Sequence, residues 1–314
     1  MIWAAFVRAL GAGLLLISAC TAARAQAAED EPRPAGGPAA GIELFASTDS
    51  EDTGVVKLLG RALLVDRGPD GFAGIAIEQA WFTPQGQETR RDRRFYVDLA
   101  DRAGDKWLWR ARLGTDGHTW LGSASLRSSD WSKEFFLERE IVETPRGVDE
   151  GIYYTFGGAS FDIPASSRDN FNIMAGVQDF TGRNVRLHLR GNYVHVAKPE
   201  LGLSLQLRGR FFHSTEPSEF DYYSPRNFFQ LLPVAQMRRF DSSGWMYLGA
   251  IGLGAQRATN SGWQSARLAE LRIESPRGAQ GFQAFGQVQY SNSSLSGSGD
   301  YHYVMTRVGL TARF

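Results

Sequence analysis

From residue 41 onward, apolar and polar residues alternate in short runs broken by turn residues, and no stretch sustains a helical period. In residues 106–114, Trp107, Trp109, Ala111 and Leu113 share one parity, and Leu108, Arg110, Arg112 and Gly114 the other. In residues 185–193, Val185, Leu187, Leu189, Gly191 and Tyr193 oppose Arg186, His188, Arg190 and Asn192. Residues 201–211 repeat the pattern, with Leu201, Leu203, Leu205, Leu207 and Phe211 against Ser204, Gln206, Arg208 and Arg210. Residues 282–290 set Phe282, Ala284, Val288 and Tyr290 against Gln283, Gln287 and Gln289. Side chains of a strand alternate between faces, so each run predicts a strand with one greasy and one polar face. Strand starts fall near Gly41, Val55, Phe72, Arg93, Lys106, Thr119, Lys133, Gly151, Asn170, Arg183, Leu201, Asn227, Gly244, Ser265, Gln280 and Tyr301. A spacing of roughly eighteen residues suits strands of about ten residues, tilted through a bilayer and joined by turns. Two runs are less regular. Residues 133–143 place Glu138, Arg139 and Glu140 together, and residues 227–240 contain Pro233, which leaves fourteen or eighteen strands open.

Alternation alone fits a soluble sandwich, with its apolar face on a core, as well as a barrel with its apolar face on lipid. The end of the chain separates them. Val304, Thr306, Val308, Leu310 and Ala312 hold one parity, Arg307, Gly309, Thr311 and Arg313 the other, and the run stops on Phe314. Arg307, Gly309, Ala312 and Phe314 in this arrangement resemble the closing-strand signal of bacterial outer-membrane β-barrel proteins. The resemblance implies the bacterial outer membrane as location, and its lipid and the barrel-assembly machinery as partners. The expected fold is therefore all-β, a transmembrane antiparallel β-barrel of about 16 strands over residues 41–314. Loop lengths agree: residues 66–71, 101–105, 197–200 and 241–244 make short turns at one rim, while 83–92, 214–226, 257–264 and 292–300 make mostly longer ones at the other. Short turns belong on the periplasmic side, which sets both chain ends there.

The first residues read as an export signal. In residues 1–25 Arg8 precedes an apolar run too short to span a bilayer, and Ala23-Arg24-Ala25 forms a small-x-small cleavage site. A competing reading takes Ile17-Ser18-Ala19-Cys20 as a lipoprotein box with Cys20 lipidated. Cys20 is the only cysteine, so no internal disulfide forms on either reading. Residues 26–40, rich in Glu, Asp, Pro and Gly, read as a flexible periplasmic leader. The net charge of +0 gives no argument for a nucleic-acid partner. Mean hydropathy of -0.28 excludes a helical membrane protein but not a barrel, whose lipid-facing residues are diluted by lumen and loops. Aromatics at 12% and thirty-five Gly suit interface girdles and tight turns.

One local stretch stands out, Phe220-Asp221-Tyr222-Tyr223-Ser224-Pro225-Arg226-Asn227, which enters a strand after the longest expected loop. With the Trp245-x-Tyr247-x-Gly249 and Ile-Gly-Leu-Gly run that follows, it resembles the carboxy-terminal barrels of exopolysaccharide-exporting outer-membrane porins, the cellulose-secretion subunit and the poly-N-acetylglucosamine export porin. The likeness covers mainly residues 220–314 and implies a polysaccharide as cargo. Those porins carry a tetratricopeptide-repeat region before the barrel that is not visible in this sequence, so the likeness implies a separate periplasmic tetratricopeptide scaffold. The plainer reading of Tyr222 and Tyr223 is a girdle pair followed by a loop-to-strand proline.

The charged parity supplies candidate channel-lining residues: Arg110, Arg112, Arg186, Arg190, Arg208, Arg210, Glu270, Arg272 and Glu274, with Asp98. Guanidiniums beside carboxylates would set a field across a lumen that selects anionic or sugar solutes. The alternative is that they pair across strands and hold the barrel's shape. Catalysis is not expected. His188, His195, His213 and His302 stand without a Gly-x-Ser-x-Gly elbow, metal-ligand spacing is missing, and no Gly-rich phosphate loop calls for a nucleotide. No cofactor is expected. Passive export of an exopolysaccharide leads the functional readings, followed by a non-conducting barrel that anchors a surface-polymer complex and by a barrel enzyme acting on lipid or polymer.

Overall fold

Alternating runs that each bury one face must pair on both edges, and in this chain they close on themselves. The structure, a computed structural model, describes residues 36–50, 52–276, 281–292 and 302–314. The expected signal peptide, the Cys20 alternative and residues 26–35 of the leader lie outside the described residues, as do the strand starts expected at Gln280 and Tyr301. Sixteen antiparallel strands form one closed barrel in simple sequence order. They are β1 Gly37–Asp49, β2 Gly54–Asp66, β3 Phe72–Thr83, β4 Arg90–Ala103, β5 Trp107–Thr115, β6 Trp120–Ser128, β7 Lys133–Ile141 and β8 Tyr153–Pro164. The second half comprises β9 Asp169–Phe180, β10 Val185–Lys198, β11 Leu203–Ser214, β12 Asn227–Phe240, β13 Met246–Ala258, β14 Gln264–Glu274, β15 Phe282–Ser291 and β16 Tyr303–Arg313. A six-residue helix, α1 Pro145–Glu150, follows β7 and was not expected from the alternation.

Closure is made by β1 and β16, in unbroken register from Ala39↔Arg313 to Asp49↔Tyr303. β1 begins at Gly37, ahead of the expected Gly41, because the end of β16 offers partners that far down: Phe314 N donates to Pro38 O at 3.0 Å. Gly309 has a local role in this seam. A Cβ there would lie 2.3 Å from the Phe285 ring on the facing strand, so only glycine lets that ring turn into the lumen. Both irregular runs are strands. Pro233 has no N–H, and the β12–β13 ladder skips from Leu231↔Ala255 to Val234↔Gly252 without a change of register.

The two faces invert the order of a soluble protein. Apolar side chains point outward, with Ile251 at 68%, Leu253 at 67% and Leu271 at 67% exposure, while Arg94 and Asp98 are 3% exposed inside. Such a wall is stable only against hydrocarbon, because in water it would leave a continuous apolar belt exposed. Aromatic rings border the belt: Trp107, Phe135 and Phe161 form a chain of tilted and edge-on contacts near one rim, and Phe229 meets Trp263 edge-on near the other.

Candidate functional site

The lumen is the site that this fold builds, and the inward parity places every expected lining residue within it. On β2 to β5 the inward charges are matched. Arg94 reaches Asp92 at 2.6 Å, Glu78 at 3.0 Å and Glu140 of β7 at 3.3 Å. Arg112 and Asp98 face each other across the β4–β5 ladder and form a two-pronged pair at 2.6 and 2.8 Å. Arg110 lies 3.6 Å from Asp70, and Arg61 3.6 Å from Glu43. Arg307 on the closing strand also bonds Glu43, at 2.6 Å. Farther round, Arg272 pairs with Glu274, and Glu270 accepts from Gln287 at 3.0 Å. Here the pairing reading describes the expected residues: a fork-shaped guanidinium opposite a carboxylate on the next strand locks register and shape.

The wall from β9 to β13 differs. Its inward positions carry no carboxylate, yet they hold Arg186, Arg190, Arg208 and Arg210. Arg186 donates to the Tyr223 carbonyl at 2.6 Å and to Ser214 Oγ at 3.3 Å, and Arg208 donates to Gln206 at 2.9 Å. Arg186 and Arg210 flank the Phe212 ring at 4.7 and 5.5 Å. Aromatic faces offset part of a buried positive charge and neutralise none of it.

Two segments from the rim opposite the chain ends fold into this lumen. Residues 142–152 leave β7, turn through α1 and return to β8. Thr144 caps α1 by accepting from Gly147 N at 3.1 Å, Pro145 pre-sets its first turn, and Gly151 ends it in the left-handed region at φ 66°. A Cβ on Gly147 would come 2.0 Å from the Val142 carbonyl, so the turn requires glycine there. Ile141 and Val148 pack with Leu59, Ala76, Tyr96 and Leu121 on one side, while Val142 and Ile152 pack with Tyr154, Phe156, Met174 and Phe180 on the other. Ion pairs tie the segment to neighbouring strands of the wall: Glu143 with Lys57 of β2, and Asp149 with Arg90 of β4. The Arg90 guanidinium, donating to Asp149, holds that exposed carboxyl below the usual carboxylate range.

Residues 215–226 form the second segment. Glu219 accepts from the backbone of Arg183 and Asn184, and Tyr222 stacks on Phe180 at 4.3 Å while its hydroxyl accepts from Asn184 at 3.0 Å. Tyr223 sits edge-on to Phe212 and Phe228, and burial pushes its hydroxyl up to about 12, against the pull of Arg210 and Arg186. Tyr222 and Tyr223 are therefore not a girdle pair. The chain turns back inside before Pro225, and their rings pack against the inner faces of β9, β11 and β12. Asp221 joins the two segments, accepting from Thr144 Oγ1 at 2.6 Å and from Arg146 N at 2.8 Å.

No protein-family model matches the sequence, and no curated protein matches it. Among solved structures, a bacterial polysaccharide outer membrane secretin superposes with a TM-score of 0.65 at 13% identity, covering 90% of this chain and 100% of that one. The fold is that of an outer-membrane barrel. OccAB3 of Acinetobacter baumannii follows at a TM-score of 0.45 and 8% identity, over 89% of this chain and 100% of its own. The KdgM porin in complex with oligogalacturonate gives 0.38 and 8% over 87% and 99%. The outer-membrane setting agrees with the apolar belt and with the absence of an exposed strand edge.

The histidines are scattered around this barrel. His188 is buried inside against Phe156 and bonds Gln178 at 3.0 Å; His213 bonds Asn227 at 2.9 Å. His195 bonds Asp169 at 2.8 Å, and Ser166 donates to the other oxygen of that carboxylate at 2.6 Å. The carboxylate stands between serine and imidazole, whereas a base that activates a serine must itself stand between serine and carboxylate. The Thr144-Pro145 step was the signal for the inward helix, and it was available in the sequence. Lys57, Glu143, Asp149 and Asp221, which hold the inward segments, carry no such local mark.

Proposed function

We propose that this barrel is a passive conduit for a polysaccharide leaving the cell, with residues 142–152 as its movable constriction. The observation that carries the reading is a closed wall whose inward parity bears rows of charged and amide side chains, with a segment folded inside it and held to β2 and β4 through Lys57–Glu143 and Arg90–Asp149. Full-length likeness in fold to a polysaccharide secretin supports the choice of cargo. Arginine forks and the hydroxyl-bonding amides of Gln206, Gln230 and Asn192 suit a sugar chain, which offers many acceptors and hydroxyls. Polymer synthesis on the inner side supplies the drive, the chain itself is not catalytic, and a separate tetratricopeptide protein guides the polymer to the periplasmic mouth.

The purified barrel in a planar bilayer is expected to show discrete conductance steps that fall when oligosaccharide is added. A silent barrel overturns the conduit. A second reading, a plugged barrel that anchors other components of a surface-polymer complex, draws on the packing of Ile141, Val142, Val148 and Ile152 against the inner faces of β2 to β4, β6, β8 and β9. It predicts silence even after that packing is broken.

A further inference from the structure

Arg190 and Arg210 are direct cross-strand partners on β10 and β11, both facing the lumen. Like charges placed opposite one another on a ladder repel, and a sequence that keeps them there needs a compensating charge. None is built in. Neither makes an ion pair among the described residues, and Nε and Nη2 of Arg190 and Nε of Arg210 are buried without a hydrogen-bond partner. The carboxylate whose field reaches Arg190 is that of Glu138, and its Oε1 is already held by the Tyr154 hydroxyl. One inward position along β10, the side-chain oxygen of Asn192 is likewise buried with no partner. Buried guanidinium N–H groups left unbonded carry a large desolvation cost, which a bound anion would remove.

We propose that Arg190, Arg210 and Asn192 form a subsite for an acidic sugar unit, so that the cargo is a carboxylate-bearing polysaccharide. The two guanidiniums take the carboxylate, and the Asn192 oxygen accepts from a ring hydroxyl. A free inorganic anion would satisfy only the arginines, and a neutral sugar only Asn192; a uronic-acid unit presents both groups on one ring. The assignment deepens the conduit reading and rests on it for the direction of transport, but its binding step requires no conduction.

The test is calorimetric titration of the detergent-solubilised full chain with oligomannuronate, with cello-oligosaccharide of equal length, and with sodium acetate. Oligomannuronate is expected to bind most tightly, and Arg190→Gln or Arg210→Gln to weaken it about ten- to a hundredfold, the loss of a charge-assisted bond. Thermal unfolding of the same variants in low-anion buffer guards against a trivial folding defect. Removal of one repelling charge should leave the midpoint equal or higher, whereas a purely structural pair would lower it. Oligomannuronate that does not bind, binds equally to both variants, or is matched by acetate or cello-oligosaccharide overturns the assignment. Conduction blocked by neutral oligomers without acid binding refutes the subsite alone, and a silent barrel that binds oligomannuronate refutes the conduit alone.

Discussion

Two walls of the same lumen use the same residue types to opposite ends. On the wall from β2 to β5, Arg94 and Arg112 each meet carboxylates at 3.3 Å or less, and removing either partner would strand a charge. On the wall from β9 to β13 the inward strand positions supply no carboxylate, and Arg190 and Arg210 stand opposite each other without an ion pair among the described residues. A matched pair spends its directional bonds on the protein and has few left for a solute. An unmatched guanidinium keeps its bonding groups for whatever passes. The lesson is that inward parity tells which charges line a lumen, while the partner on the neighbouring strand tells whether they hold shape or meet cargo.

The sharpest way to break this comparison is one substitution on each wall. Arg94→Met leaves Glu78, Asp92 and Glu140 crowded around an apolar side chain and should cost roughly 3–5 kcal/mol in urea unfolding of the barrel in lipid vesicles. Arg190→Gln should be neutral or stabilising, by about 0.2–1 kcal/mol. Equal losses at both positions would erase the difference between the walls.

The inward segment gives effects of intermediate size. Glu143→Gln and Asp221→Asn each remove a charged tether worth about 0.2–1 kcal/mol, so each should shift the open-to-closed ratio in single-channel records up to roughly fivefold. Gly147→Ala should act in the same direction, because its methyl cannot occupy the space held by the Val142 carbonyl. Unchanged records for all three would remove residues 142–152 from the account as a constriction.

The smallest effect is that of pH. Asp149 is held below the usual carboxylate range by Arg90, so its tether is fully present above that range and is lost only as pH falls through the lowered value. Conductance should therefore be flat from neutral pH down to about 4 and rise only below it. A rise centred near pH 6 would point to a different group.

The strands and their facing were legible because lipid on one side and a wet lumen on the other impose a strict period of two. The runs at 185–193 and 201–211 point as their alternation requires, and β7 and β12 form despite Glu138 to Glu140 and Pro233. The closing strand could be read for the same reason. Pairing of the inward charges could not, since Glu43 and Arg307 are joined only by closure of the barrel. The inward turns escaped because their stability comes from contacts with distant strands, such as Lys57 with Glu143 and Tyr222 on Phe180. Alternation says nothing of such contacts. Only the Thr144-Pro145 start of α1 leaves a trace in the local sequence.

The most direct measurement is the reversal potential of the purified barrel in a planar bilayer under a potassium chloride gradient. If Arg190 and Arg210 are lumen charges without an ion pair, the current is anion-selective and loses that preference in the Arg190→Gln/Arg210→Gln double variant. A cation-selective wild-type barrel, or a preference for anions that survives the double substitution, would contradict it.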